Sequence, residues 1–252
     1  SADSMQVYRR MDIGTAKPTP EEMRGIPHHM LDVADPEEDF SVARYVELAA
    51  PCVDDILARG KLPIVAGGTG LYLDSLLSGR TFAPFSPDGG LRARLEARFD
   101  ALGGEAMLGE LAAADPEAAG RLHPNDRKRI VRALEVFQQT GKTISQHNRE
   151  TRALPLRYDA LTLSLAFQRR EDMWARIDRR VDEMMAAGLA EEVRALLDSG
   201  VPVRCTAMQA IGYKEMAAAL RGGGDVCAAA EEIKLRSRQY AKRQRTWFRR
   251  NR

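Results

Sequence analysis

Leu62-Pro-Ile-Val-Ala66 is a short apolar run that turns through Gly67-Gly-Thr-Gly70 straight into Leu71-Tyr-Leu-Asp-Ser-Leu-Leu77. The run has strand length and the character of a strand buried in a parallel sheet. The glycines permit a tight turn, and Gly79 ends the helix that follows. Strand, glycine turn and helix in that order are the signature of an α/β protein. A second strand is predicted at Tyr158-Asp-Ala-Leu-Thr-Leu-Ser-Leu-Ala-Phe167, where apolar and polar residues alternate.

Helical patterns fill most of the rest. Residues 1–36 are loop-rich, punctuated by Pro18, Pro20, Pro27 and Pro36. Asp39 or Ser41 can cap a helix to about Arg59, closed by Gly60, which Pro51 should kink or split. Residues 81–90 read as a linker. Helices are predicted over Arg92–Leu102, Glu105–Ala113, Asp115–Arg121 and from the Pro124-Asn-Asp126 cap to Gln139, with Gly141 beyond its end. From Arg170 onward helices are broken at Gly188, Gly200–Pro202 and Gly222–Gly224. The expected architecture is an α/β core over 1–86 and 155–252, interrupted by a helical insertion over 87–154, with a helical C-terminal region.

Bulk properties exclude several classes. No apolar run is long enough to span a bilayer, and no signal-peptide pattern opens the chain. Cys52, Cys205 and Cys227 are odd in number and widely spaced, so neither a disulfide framework nor a zinc finger is indicated. A reducing, cytoplasmic setting suits them. His28, His29, His123 and His147 show no metal-ligand spacing. The net charge of +2 conceals a polarity: 20 acidic against 11 basic side chains through residue 120, then 16 against 27 after it. A basic half suits a polyanionic partner, and equally a solvated surface.

Several residues could carry chemistry. Asp3 suits a general base, or a cap on the turn through Ser4 and Gln6. Gly67–Gly70 offers backbone N–H groups at a helix start, with the Thr69 hydroxyl beside them, and would hold an anion or simply turn the chain. Arg176 and Arg180 lie at i and i+4, a spacing that suits a pyrophosphate or ion pairs with Asp172 and Glu183. Lys128 and Arg132 share a helix face, joined by Arg129. From Lys234 to Arg252 cations interleave with Tyr240, Trp247 and Phe248, a mix that can neutralise phosphates and stack bases. On that helix Tyr240, Trp247 and Leu235 are expected inward and the arginines outward.

Seven segments together resemble bacterial-type tRNA dimethylallyltransferases, also called tRNA isopentenyltransferases. They are Ser1–Pro18, Pro27–Asp32, Gly60–Tyr72, His123–Phe137 with Gly141-Lys142, Arg176–Met184, Ala210–Glu215 and Lys242–Arg249. The resemblance implies a P-loop-NTPase-like parallel sheet core with a helical insertion that grips the tRNA anticodon stem-loop. It implies transfer of a dimethylallyl group from dimethylallyl diphosphate to N6 of the adenosine at position 37, with release of pyrophosphate. Mg2+ is the implied cofactor, no protein metal site is implied, and a cytoplasmic monomer is expected.

By the same resemblance Asp3, Thr69 and Arg180 are catalytic, and Thr69, Arg176 and Arg180 bind the diphosphate. The implied tRNA contacts begin with Asp3, Ser4, Met5 and Gln6, with Arg92, and with Lys128, Arg129, Ile130, Val131 and Arg132. They continue with Gln209, Ala210, Ile211, Gly212, Tyr213 and Lys214. The last group is Lys242, Arg243, Gln244, Arg245, Thr246, Trp247, Phe248 and Arg249. In that family a Gly-x-x-x-x-Gly-Lys-Ser/Thr loop precedes the carboxylate, and no such motif occurs in this sequence. The chain by itself is therefore expected to be weakly active or inactive. The rival readings are a non-catalytic RNA-binding relic and a P-loop small-molecule kinase.

Overall fold

The computed structural model describes residues 1–79, 82 and 90–249. The predicted linker, residues 81–90, lies mostly outside them. The chain forms two compact units, Ser1–Leu77 with Asp159–Arg252, and Ser78–Tyr158. The second is wider than the 87–154 insertion read from the sequence.

In the first unit, α1 (Pro20–Met23) is a single turn held by a capping box between Thr19 and Glu22. Helix α2 (Val42–Ala58) starts on Ser41, whose hydroxyl accepts from the Arg44 N–H. It runs through Pro51 without splitting. Pro51 is exposed, so the carbonyl that loses its intrahelical donor can face water. Tyr45, Ala49 and Val53 recur at four-residue spacing and form its buried face. Helix α3 (Gly70–Leu77) buries Tyr72 and Leu76, and Tyr72 stacks on Tyr45 with ring centroids 4.1 Å apart.

The second unit is all helical: α4 (Gly90–Leu102), α5 (Gly104–Ala114), α6 (Pro116–Ala119), α7 (Arg127–Thr140) and α8 (Ile144–Arg152). Its core is Leu95, Met107, Leu111, Ile130, Val131 and Leu134. Gly141 takes φ of 69° and ends α7, as its position beyond the periodic stretch predicts. Buried Asp115 accepts from the Ala118 N–H at 3.0 Å and the Ser145 N–H at 2.9 Å, tying α6 to the start of α8. Burial pushes that carboxyl up, but these hydrogen bonds outweigh it and hold it below its usual range.

The first unit closes with α9 (Arg170–Ala186), α10 (Leu189–Asp198), α11 (Tyr213–Gly222) and α12 (Val226–Phe248). Leu189, Val193 and Leu196 of α10 and Tyr213, Met216 and Ala217 of α11 are buried. Two ion pairs join α9 to α12: Asp178 to Arg238 at 2.6 Å and Asp182 to Lys234 at 2.7 Å. The buried face of α12 is Ala229, Ala230 and Ile233, whereas Leu235, expected inward, is 44% exposed.

The parallel sheet is the main departure from the sequence reading. Among the described residues there is no named strand, only an isolated parallel bridge between Tyr8 and Ala34. Residues 62–66 and 158–167 are irregular, and Leu62, Ile64, Leu161, Leu163 and Leu165 are all at least 79% exposed. Alternation specifies which face a strand would bury, but a ladder needs a neighbour to accept its backbone hydrogen bonds. Among the described residues these two segments have no such ladder.

Candidate functional site

The start of the chain is pinned to the glycine turn. The Ala2 N–H donates to the Ala66 carbonyl at 2.7 Å, and the Thr69 N–H donates to the Ala2 carbonyl at 3.1 Å. A β-carbon at Gly67 would stand 2.3 Å from that Ala2 oxygen, so only glycine admits this approach. The Ser4 N–H donates to Thr69 Oγ1 at 3.0 Å, and the Thr69 hydroxyl donates to Ser4 Oγ at 3.2 Å. Asp3 and Thr69, 66 positions apart in sequence, are thereby brought together.

The Asp3 carboxylate has two faces. Oδ1 accepts from the Met5 N–H at 2.8 Å and the Gln6 N–H at 3.3 Å, the cap arrangement foreseen as the alternative to a base. Oδ2 accepts no hydrogen bond among the described residues. The Gln6 side chain is internal: it accepts from the Ser1 hydroxyl and donates to the Thr15 and Ala16 carbonyls at 3.2 and 3.1 Å.

The last turns of α12 close over the same glycine turn. Gln244 Nε2 donates to the Gly68 carbonyl at 3.0 Å, and Trp247 Nε1 donates to Asp74 at 3.0 Å. The Tyr240 hydroxyl lies near the side chains of Thr69 and Gln244. Burial, then the Asp3 charge, raises its pKa, so it stays a donor. Gln244 and Trp247 thus face the turn, although the resemblance assigns them to tRNA. The place of Tyr240 beside Thr69 was missed; its signal was the stripe Tyr240, Gln244, Trp247 at i, i+4 and i+7. Lys242, Arg243, Arg245 and Arg249 are exposed and outside any ion pair among the described residues, Arg243 lying over the Tyr240 ring. Thr246 donates to the Lys242 carbonyl, and Phe248 is half-buried.

Arg176 and Arg180 are exposed on one face of α9 and in no ion pair among the described residues. The pairing with Asp172 considered from sequence does not form, because Asp172 is held by Arg169 at 2.6 Å. Asp178 and Asp182 face α12 from the other side of the helix, leaving the arginine ridge open.

Segment Gln209–Lys214 divides between surface and core. Tyr213 is fully buried, and its hydroxyl donates to Glu192 at 2.5 Å. Glu192 also accepts from the N–H groups of Asp12, Ile13 and Gly14 at 2.8, 2.8 and 3.1 Å. Through Glu192, Tyr213 therefore braces the Asp12–Gly14 backbone and is no surface contact, and Ala210 and Gly212 are buried as well. Glu192 escaped notice because its backbone partners lie about 180 positions away. The Gln209 amide donates to the Val203 carbonyl, Ile211 is half-buried and Lys214 is exposed. Gln209, Ile211 and Lys214 line an open groove of about 580 Å³ that also takes in Arg236 and Arg243 of α12.

In the helical unit Lys128 and Arg129 are exposed, whereas Ile130 and Val131 are buried in the core, so their side chains cannot reach a ligand. Arg132 and Arg92 both bond to buried Glu135. No group of three or more His, Cys, Asp or Glu that could hold a metal occurs among the described residues, nor a helix long and apolar enough to cross a membrane.

A carboxylate with one open oxygen beside a hydroxyl on a glycine turn can accept a proton, and the exposed arginine pair on α9 is a separate feature that can meet an anion. The chain belongs to the IPP transferase family, whose profile matches residues 6–251. It is 51% identical over 248 residues to tRNA dimethylallyltransferase 1 of Trichlorobacter lovleyi, covering 98% of this chain and 81% of that protein. It is 46% identical over 249 residues to tRNA dimethylallyltransferase of Bacillus subtilis, covering 99% and 78%. Among solved structures it is similar to the full-length tRNA isopentenylpyrophosphate transferase of Bacillus halodurans, with 43% identity, a TM-score of 0.69 and coverage of 98% and 77%. A eukaryotic dimethylallyltransferase acting on tRNA aligns with a TM-score of 0.80 at 32% identity, covering 97% and 61%.

Proposed function

We propose that this protein transfers a dimethylallyl group from dimethylallyl diphosphate to N6 of the adenosine at position 37 of tRNA, on the 3′ side of the anticodon. The observation that carries this reading is the open Oδ2 of Asp3, held beside the Thr69 hydroxyl by the Ser4 bridge. An exocyclic adenine amine is a poor nucleophile because its lone pair is delocalised into the ring. Asp3 Oδ2 accepts one N6–H, and the nitrogen attacks the allylic carbon. The C–O bond breaks, its electron pair leaves with pyrophosphate, and the proton passes to Asp3. Thr69 donates to the diphosphate, with Arg176 and Arg180 supplying charge. Adenine must leave its stack to reach Asp3, so the base is flipped out of the anticodon loop.

Support for tRNA as partner comes from the relatives' names and from the exposed cations Lys128, Arg129, Lys214, Lys242, Arg243, Arg245 and Arg249. The donor set fits Mg2+ only in company with substrate. With no group of three or more His, Cys, Asp or Glu among the described residues that could hold a metal, the ion would draw its ligands mainly from phosphate oxygens and water. When bound it neutralises the departing pyrophosphate. The reading also carries a P-loop-NTPase-like parallel core: exposed apolar alternation at Leu161, Leu163 and Leu165, with Leu62 and Ile64, is the pattern of strands suited to burial. A monomer in the cytoplasm completes it.

The test incubates the chain with dimethylallyl diphosphate, Mg2+ and unmodified tRNA, alone and with a relative's phosphate-binding loop joined ahead of Ser1. Mass spectrometry then looks for N6-dimethylallyladenosine. Product that disappears with Asp3→Ala is the expected result. tRNA binding without product in either arm would replace this reading with an RNA-binding relic.

A further inference from the structure

Every residue of the Gly67–Gly70 turn except Thr69 is glycine, so intrinsic backbone preference does little to hold Thr69 in place. Hydrogen bonds hold it instead. The peptide that joins Gly68 to Thr69 is planar and trans, so its carbonyl and its N–H point to opposite edges. On one edge the Thr69 N–H donates to the Ala2 carbonyl at 3.1 Å. On the other the Gly68 carbonyl accepts from Gln244 Nε2 at 3.0 Å. The approach is close, since a β-carbon at Gly68 would stand 2.1 Å from that Nε2. The same peptide carries Thr69, whose Oγ1 accepts from the Ser4 N–H at 3.0 Å, one residue beyond Asp3.

Gln244 lies between the exposed Arg243 and Arg245, yet it is neutral, half-buried and directed at the turn. Trp247, three residues on, packs over Gly70, but its Nε1–H goes to Asp74 at 3.0 Å and not to the turn's backbone. It cannot replace the donor that Gln244 supplies.

We infer, on the strength of the transfer reading above, that Gln244 is a positioning residue: its amide locks the Gly68–Thr69 peptide and so holds the Thr69 hydroxyl beside Asp3, and it is not a tRNA contact. Without that bond the flanking glycines let the peptide plane rotate and carry the hydroxyl away from the diphosphate. Misplacement by about 1 Å is enough to slow a reaction about 10²-fold.

Gln244→Met keeps the length of the side chain and removes the donor. Three quantities are measured on the folded variant: exchange of the Ser4 and Thr69 amide hydrogens, affinity for an unmodified tRNA transcript, and the single-turnover transfer rate. The rate is taken at saturating tRNA and dimethylallyl diphosphate, in the chain with a phosphate-binding loop joined ahead of Ser1. Both amides are expected to exchange faster and the rate to fall about 10–100-fold. tRNA affinity is expected to stay within about threefold. A tRNA contact would do the reverse: affinity would fall about tenfold, with the amides protected and the saturated rate unchanged, and that result overturns the inference. Faster exchange throughout the chain with an unchanged saturated rate would reduce Gln244 to a packing residue and overturn it too.

If Gln244→Met does not fold, Gln244→Glu decides. It keeps the shape and sets a carboxylate oxygen against the Gly68 carbonyl. Only amide exchange and transfer rate are then read, because the added negative charge weakens tRNA binding whatever the role of residue 244. Protected Ser4 and Thr69 amides with an unchanged rate overturn the inference. Absence of transfer by every form, the unaltered one included, would remove the function reading and the catalytic role of Gln244 with it, while the amide exchange would still decide whether Gln244 holds the turn.

Discussion

Trp247 lies so close over Gly70 that a β-carbon at residue 70 would stand 2.3 Å from its indole Cδ1. The end of α12 and the start of α3 are thus fitted backbone to ring, with the Trp247–Asp74 hydrogen bond fixing the indole. Gly70→Ala is expected to push the indole off the turn and destabilise the chain by about 1–3 kcal/mol. Denaturant midpoints would record the loss, and tryptophan emission would shift as the Trp247 indole becomes more exposed. An unchanged midpoint and spectrum would mean that α12 docks loosely.

Asp3 caps two amides through one oxygen and leaves the other open, which allows its two roles to be separated. Asp3→Asn retains an acceptor for the Met5 and Gln6 N–H groups but cannot take a proton. Transfer in the active enzyme is expected to fall about 10²–10⁴-fold. tRNA affinity should change by less than ~1.4 kcal/mol, or tenfold. A larger loss of binding would make Asp3 a recognition residue.

Glu192 gathers three consecutive backbone N–H groups and the Tyr213 hydroxyl, so its loss leaves four donors short of an acceptor. Glu192→Ala is expected to cost about 2–4 kcal/mol. The Asp12–Gly14 amides should then show faster hydrogen exchange, while the helical unit's amides keep their rates. Uniform acceleration across the chain would indicate global unfolding without a local clamp.

Extremes of pH should act on buried groups with opposite signs. Burial raises Tyr8 from its usual 10 to about 12, and raises Tyr45, Tyr72 and Tyr213 in the same direction. Their contribution is complete below pH 10 and falls as pH rises from there through the folded values, because the unfolded chain loses those protons first. Asp115 and Glu135 are lowered: burial pushes each up, and their hydrogen bonds outweigh it. Their contribution is present above the ordinary carboxylate range and lost as pH falls below it. Urea unfolding should therefore give midpoints that decline on both sides of a neutral plateau. A midpoint constant from pH 8 to 11 would contradict the alkaline limb.

Helix limits were legible in sequence because their causes are local. Ser41 caps α2 through a hydrogen bond to the residue three positions on, and Gly141 ends α7 by its own backbone freedom. The residues that mark the family, from Asp3 to the Gly67–Gly70 turn and the basic stretch of α12, were legible for the same reason: they are fixed by order and spacing along the chain. What the sequence could not assign was the partner of each side chain. Arg132 looks as available as Lys128, yet buried Glu135 holds one and nothing among the described residues pairs with the other. Tyr213 reads as part of a tRNA-facing segment, yet its hydroxyl belongs to Glu192. Gln244 reads as one polar residue in a cationic run, yet it closes on Gly68 across 176 positions. Local propensity acts over a few residues, whereas burial and pairing depend on which distant segments the packed chain brings within hydrogen-bond reach, and only the tertiary structure decided that.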